Sequence, residues 1–155
     1  MAQSSSFRSH RTLDVASLIT LSLTVFIVIA LFSYHNTDSA WSVISAPPSV
    51  KNMEGPYGAW VADVFFFTFG WVAYAIPFIT SWFFIVLIRA RQTGYFPHPT
   101  PTQSIGILFG FIGLCGLLGL HGHSHSLPVG AGGAVGRSLA WLLVNRLEVT
   151  GSTLV

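Results

Sequence analysis

Three stretches of this chain contain no Asp, Glu, Lys or Arg, and they dictate what it can fold into. Residues 15–33 (VASLITLSLTVFIVIALFS) number nineteen, residues 64–88 twenty-five and residues 104–120 seventeen. A helix rising 1.5 Å per residue needs about 20 apolar residues to cross the ~30 Å hydrocarbon core of a bilayer. In that core every backbone N–H and C=O must find its partner within the protein, which makes such runs helical. Only 8% of the residues are charged and 52% are hydrophobic, against ~25% charged in soluble domains. The reading is an all-α integral membrane protein: a helical bundle of three transmembrane helices plus an amphipathic surface helix.

The first run exceeds the ~7–15 apolar residues of an export signal, and no small-x-small cleavage site follows it at Ala40 or Ala46, so it reads as an uncleaved anchor. Arg8, Arg11, Arg89 and Arg91 fall in two short segments, whereas Lys51, Arg137 and Arg146 are spread over two longer ones. Basic residues collect on the cytoplasmic side, which places the N-terminus there. Asp38, Glu54, Asp63 and Glu148 then lie outside and Asp14 inside. This divides the chain into a cytoplasmic tail (1–14), span one (15–33), an outer loop (34–63), span two (64–88), an inner loop (89–103), span three (104–120), an outer segment (121–151) and the start of a fourth span (152–155). Tyr34, Trp60, Trp82 and Tyr95 sit near span ends, where aromatic belts form.

The connections have their own signals. The outer loop holds Pro47-Pro48, Gly55-Pro56 and Gly58, which predicts turns. Asp63 closes it, placed to accept backbone N–H groups and to meet the positive end of the helix dipole at the start of span two. Pro77 predicts a kink in that span. Prolines at 97, 99 and 101 make the inner loop a stiff, non-helical spacer.

Glycines mark two further places. Gly106, Gly110 and Gly113 follow one face of span three, and in lipid such a face lets another helix approach closely. Residues 129–138, VGAGGAVGRS, invite comparison with phosphate-binding loops. The dinucleotide form needs G-x-G-x-x-G after a strand, and here Val135 stands where the third glycine belongs; a P-loop needs Gly-Lys-Ser/Thr, and here the stretch ends Gly136-Arg137-Ser138. The expectation is a hinge formed by Gly130, Gly132, Gly133 and Gly136. It leads into an amphipathic helix whose stripe of Leu139, Leu142, Leu143, Val144 and Leu147, bordered by Trp141, lies on the membrane surface with Ser138, Asn145 and Glu148 opposite.

Little points to chemistry. His121, His123 and His125 alternate and in an extended segment could share a metal ion, but no carboxylate or thiolate stands nearby, and histidines at a helix end are ordinary interfacial residues. Pumps and proton-coupled carriers keep ionisable residues within their spans, and these three spans have none. The single cysteine, Cys115, reads as a small packing residue. A net charge of +2 without a basic cluster argues against nucleic-acid binding by this chain. No catalytic residue and no cofactor site is nominated.

Three segments nonetheless look familiar: LFSYHNTDSAWS at 31–42, GAWVADVFFFTFGWVAYAIP at 58–77 and GAGGAVGRSLAWLLVNRLEVTGSTLV at 130–155. Together they resemble the N-terminal membrane domain of the bacterial FtsK/SpoIIIE family of DNA translocases. The resemblance implies a four-helix anchor in the inner membrane with a cytoplasmic N-terminus, truncated here where the fourth span would begin. It also implies a role in recruiting other division proteins at the septum, ahead of a hexameric motor that uses ATP and Mg to move DNA during chromosome segregation. No ATP- or DNA-binding residue can be carried onto this chain, and the HGHSHS tract has no counterpart in that pattern. Apart from the resemblance, the residues also suit a small accessory subunit of another membrane complex, or a metal-handling protein built on the histidines.

Overall fold

The computed structural model describes the backbone of residues 2–44, 50–95, 99–122, 124 and 126–152, and the side chains from 11 to 146 within those ranges. Pro47, Pro48, Pro97, His123, His125, residues 153–155 and the side chains of Arg8, Leu147 and Glu148 lie outside the described residues. Among the described residues every regular element is helical: α1 (Ala2–Phe32), α2 (Gly55–Phe69), a 3-10 helix (Gly70–Tyr74), α3 (Ala75–Thr93), α4 (Pro101–His121) and α5 (Gly133–Ser152). Three stretches, Arg11–Phe32, Gly55–Thr93 and Pro101–His121, are long and apolar enough to cross a membrane.

α1 and α3 form an antiparallel pair. At one end Arg91 Nε lies 2.7 Å from an Asp14 carboxylate oxygen; at the other, the rings of Phe32 and Tyr74 pack at 5.5 Å. The polar residues of α1 bond to their own helix: the hydroxyls of Ser17, Thr20 and Thr24 donate to the carbonyls of Asp14, Ala16 and Thr20, each at 2.8 Å. That internal pairing lets Ser17 and Thr24 be buried without an unmet hydrogen bond.

The second stretch corrects the sequence reading twice. Its 39 residues would make an unbroken helix of about 58 Å, nearly twice the hydrocarbon thickness. The chain breaks it at Gly70, whose φ of +61° and ψ of −138° are open to glycine and strained for other residues. Pro77 makes no kink, because it is the third residue of α3 and a missing N–H costs nothing in a first turn. The outer loop is also shorter than expected. Its residues from 55 onward are already helical, with Pro56 in the first turn of α2.

α4 likewise begins earlier than residue 104. Thr100 and Gln103 form a reciprocal capping box, Gln103 N donating to Thr100 Oγ1 at 3.4 Å and Thr100 N to Gln103 Oε1 at 3.0 Å, with Pro101 at the first helical position. The Pro-rich spacer therefore ends in a helix start. α5 folds back antiparallel to α4, with Gly136 level with Gly119 and Leu139 level with Gly116. The core is a cluster of Ile27, Ala30, Leu31, Ala62, Phe66, Ala73 and Leu127, with Tyr34 and Tyr74 packed against it.

Candidate functional site

The loop that follows α1 is held by buried carboxylates. Asp38, 3% exposed, accepts from the backbone N–H of Lys51 at 3.0 Å and of Asn52 at 2.9 Å. Asn52 is buried too; its Nδ2 donates to the Ala30 carbonyl in the last turn of α1 at 2.8 Å, and its Oδ1 accepts from Glu54 N at 3.0 Å. Ser33 adds a second tie, accepting from Met53 N at 3.1 Å while donating to the Ile29 carbonyl at 2.6 Å. The two ends of the loop are thus pinned to the end of one helix. Each carboxylate–amide bond is charge-assisted and stronger than a neutral one.

Asp63 does not stand where the sequence put it. It lies in the third turn of α2, far from a helix start, and is 1% exposed. Its two oxygens accept from Ser42 N at 2.6 Å and Ser42 Oγ at 2.7 Å. A buried charge of this kind is tolerated only when its lone pairs are met, and here the loop supplies both donors. Tyr34, just after α1, is half-buried and packs on Phe66, ring centroids 4.6 Å apart. Trp41 packs edge-on against Phe67 at 4.7 Å. Trp60 is half-exposed on α2, Trp141 is exposed on α5, and Trp82 and Tyr95 are exposed on and just after α3.

Burial, then the charges of Asp63 and Asp38, push the Tyr34 hydroxyl up to about 12 from its ordinary 10.0. Because the folded-state value is the higher one, the contribution of neutral Tyr34 to stability is complete below pH 10 and is lost as the pH rises toward 12. Subtracting the ultraviolet alkaline titration of Tyr34→Phe from that of the wild type should isolate a phenol that ionises well above the ordinary 10.0 of tyrosine. A difference curve centred near pH 10 would remove the electrostatic account of this loop.

The glycine stretch forms a second built feature. Trp71 N, freed by the break before α3, donates to the Ala131 carbonyl at 2.9 Å. Gly133, at φ +63°, sits so close to that break that a Cβ would fall 2.6 Å from Phe69 N; a Cβ on Gly70 would lie 2.6 Å from Gly133 N. On α4, a Cβ at Gly132 would meet Gly119 N at 2.6 Å, and one at Gly136 the Cys115 carbonyl carbon at 2.9 Å. Gly132, Gly133 and Gly136 are therefore buried packing points where three backbones meet, which corrects the reading of a loose hinge. Gly130, at φ +106° with open space around it, is the turn leading in. Cys115 completes the junction, fully buried with Sγ 3.9 Å from the Phe69 carbonyl oxygen.

Gly106, Gly110 and Gly113 face open space, nothing among the described residues lying within 4 Å of an added Cβ. The close helix approach within the chain falls one to two turns later, at Gly116 and Gly119 against α5. His121 ends α4, exposed, with Nδ1 3.3 Å from the Leu117 carbonyl. Among the described residues no group of three or more His, Cys, Asp or Glu could hold a metal ion.

The sequence reading missed Ser33, Ser42, Asn52 and Gly70 as tie points. Asp38 and Asp63, acids amid apolar residues, were the available signal, since such acids need specific donors.

Helices of this length, a loop clasped by two buried carboxylates and a backbone junction of glycines define the class: an α-helical membrane domain whose polar residues serve mainly to join its helices. Residues 9–155 match the family described as the 4TM region of DNA translocase FtsK/SpoIIIE, and the chain belongs to that family. It is 34% identical over 155 residues to the DNA translocase FtsK of Pseudomonas aeruginosa, covering 94% of this chain and 19% of the relative. It is 33% identical over 160 residues to that of Vibrio vulnificus, covering 99% and 16%, and 33% identical over 136 residues to that of Vibrio parahaemolyticus, covering 84% and 13%. The chain thus spans less than a fifth of the length of these relatives. No solved structure matches it.

Proposed function

We propose that this chain is the membrane anchor and divisome-assembly module of a DNA translocase that coordinates cell division with chromosome segregation. One observation carries the reading. Within the segments that resemble the family, Ser33, Tyr34, Asp38, Ser42, Asp63, Gly70, Gly132, Gly133 and Gly136 join helix to helix or helix to loop. They shape and hold a scaffold. In this reading ATP, Mg and DNA are handled by a hexameric motor outside this chain. The chain itself meets lipid and other division proteins, with no nucleic-acid contact and no cofactor of its own.

The same reading puts the domain in the inner membrane at the division septum with its N-terminus in the cytoplasm. The Asp14–Arg91 pair supports that orientation, because it gathers Arg11, Arg89 and Arg91 at one end of the α1–α3 pair, the end that positive-inside sorting retains in the cytoplasm. A fluorescent protein that matures only in the cytoplasm, fused ahead of Met1, tests both parts. A bright band at midcell in dividing cells is the expected result. A dark fusion overturns the orientation, and a uniform peripheral ring overturns the septal role.

A further inference from the structure

We propose that the first two turns of α5 hold a binding site for an anionic phospholipid, its phosphate on Arg137 and Ser138 and its glycerol and upper acyl chain along Trp141, Leu142 and Val129. A cavity of about 490 Å³ opens there, lined by Val129, Ala134, Arg137, Ser138, Trp141 and Leu142, within the ~300–1,000 Å³ of small-molecule sites. Ala134, Arg137, Ser138, Trp141 and Leu142 recur at helical spacing and so share one face of α5. The opposite face of the same turns carries Gly136 and Leu139, which pack on α4. The lining face is therefore turned away from the bundle.

Depth and charge single out the occupant. Gly136 and Leu139 are level with Gly119 and Gly116 of α4, two to five residues before that helix ends at His121. At 1.5 Å per residue the cavity lies ~3–8 Å inside the end of a helix about as long as the hydrocarbon core is thick, which is the outer edge of the acyl region, from where a long arginine side chain extends to the headgroup phosphates. Arg137 is exposed, and among the described residues no carboxylate pairs with it. A guanidinium beside a hydroxyl presents several donors to phosphate oxygens, and an indole with a polar edge and an apolar body is suited to the boundary just beneath. A soluble anion would leave the apolar lining wet. A phospholipid covers it and neutralises the cation together.

The test uses the whole chain in mixed micelles of zwitterionic detergent, titrated with phosphatidylglycerol or phosphatidylcholine carrying brominated acyl chains. The quenching lost in Trp141→Phe, compared with wild type, reports contact at Trp141. Wild type should reach half-maximal quenching at a mole fraction of phosphatidylglycerol about fivefold lower than of phosphatidylcholine, the ratio given by ~1 kcal/mol for one basic residue at a membrane surface. Arg137→Gln should bring that ratio close to one, while Arg137→Lys keeps most of it. Equal response to the two lipids in wild type overturns the proposal, as does a preference that Arg137→Gln leaves intact. Loss of the preference on adding inorganic phosphate at constant ionic strength overturns it too, by assigning the site to a free anion. Should Arg137→Gln not fold, the wild-type comparison and Arg137→Lys decide.

Discussion

Gly133→Ala is expected to destabilise the chain by ~2–5 kcal/mol, combining ~1–2 kcal/mol for a left-handed residue with a side chain and ~1–3 kcal/mol for forcing atoms into a filled space. Both costs are legible at this one residue: φ is +63°, and the added Cβ would sit against the backbone nitrogens of Gly70 and Phe69 at 2.5 and 2.6 Å. Rigid backbone cannot step aside as a side-chain tip can, so the junction must open. Gly130→Ala, at φ +106° but in open space, should incur the conformational cost alone. Gly113→Ala, helical and free of neighbours, should stabilise by up to ~1 kcal/mol, since alanine restricts the unfolded chain more than glycine does. Thermal unfolding of the three variants in one detergent checks the ordering. If Gly133→Ala and Gly113→Ala shift the midpoint in the same direction, the glycines do not make the junction described.

Asp63→Ala should have an effect of similar size through different physics. It removes two charge-assisted bonds and leaves the N–H and hydroxyl of Ser42 facing a cavity, at a cost of ~3–6 kcal/mol if each such bond contributes ~1.5–3 kcal/mol. Asp63→Asn retains the shape and one acceptor and should cost about 1 kcal/mol. The loop reports the loss directly: with Ser42 released, protease cleavage between Tyr34 and Ile44 should accelerate many-fold in Asp63→Ala and only slightly in Asp63→Asn. The late ionisation of Tyr34 should also move earlier in both variants, though incompletely, because burial is the larger cause of its shift and the Asp63 charge the second. Cleavage of Asp63→Ala at the wild-type rate would show that Asp63 does not hold the loop.

What could be read from the sequence was what depends on local pattern. Charge-free runs announced three membrane-crossing helices because each such helix satisfies its own backbone, whatever surrounds it. The start of α4 was written in Thr100-Pro101-Thr102-Gln103, a capping signature that overlaps the proline-rich stretch. Asp63 was misplaced for a different reason. Gly55-Pro56 and Gly58 read as turn residues, yet here Gly55 and Pro56 open α2 and Gly58 is buried where an added Cβ would strike Asn52. Whether a glycine bends a chain or admits a neighbour depends on what lies across from it, and that is a tertiary fact. The same ambiguity holds along the glycine face of α4: Gly116 and Gly119 meet α5, whereas Gly106, Gly110 and Gly113 meet no described neighbour, and only the return of α5 distinguishes them.

The junction at Gly70, Gly119, Gly132, Gly133 and Gly136 has a mechanical corollary. α4 and α5 meet the rest of the chain through α2 and the 3-10 helix, and residues 101–110 of α4 are exposed along their whole length. Measured from Gly116, the α4 helix is therefore a lever of about 22 Å, and a rocking of ~10° at the glycines carries its free tip through about 4 Å. Because the pivot is backbone against backbone, it has no rotamers with which to absorb a load, so a pull applied near Thr100 arrives at Ala131 and the Asp63-latched helix as displacement.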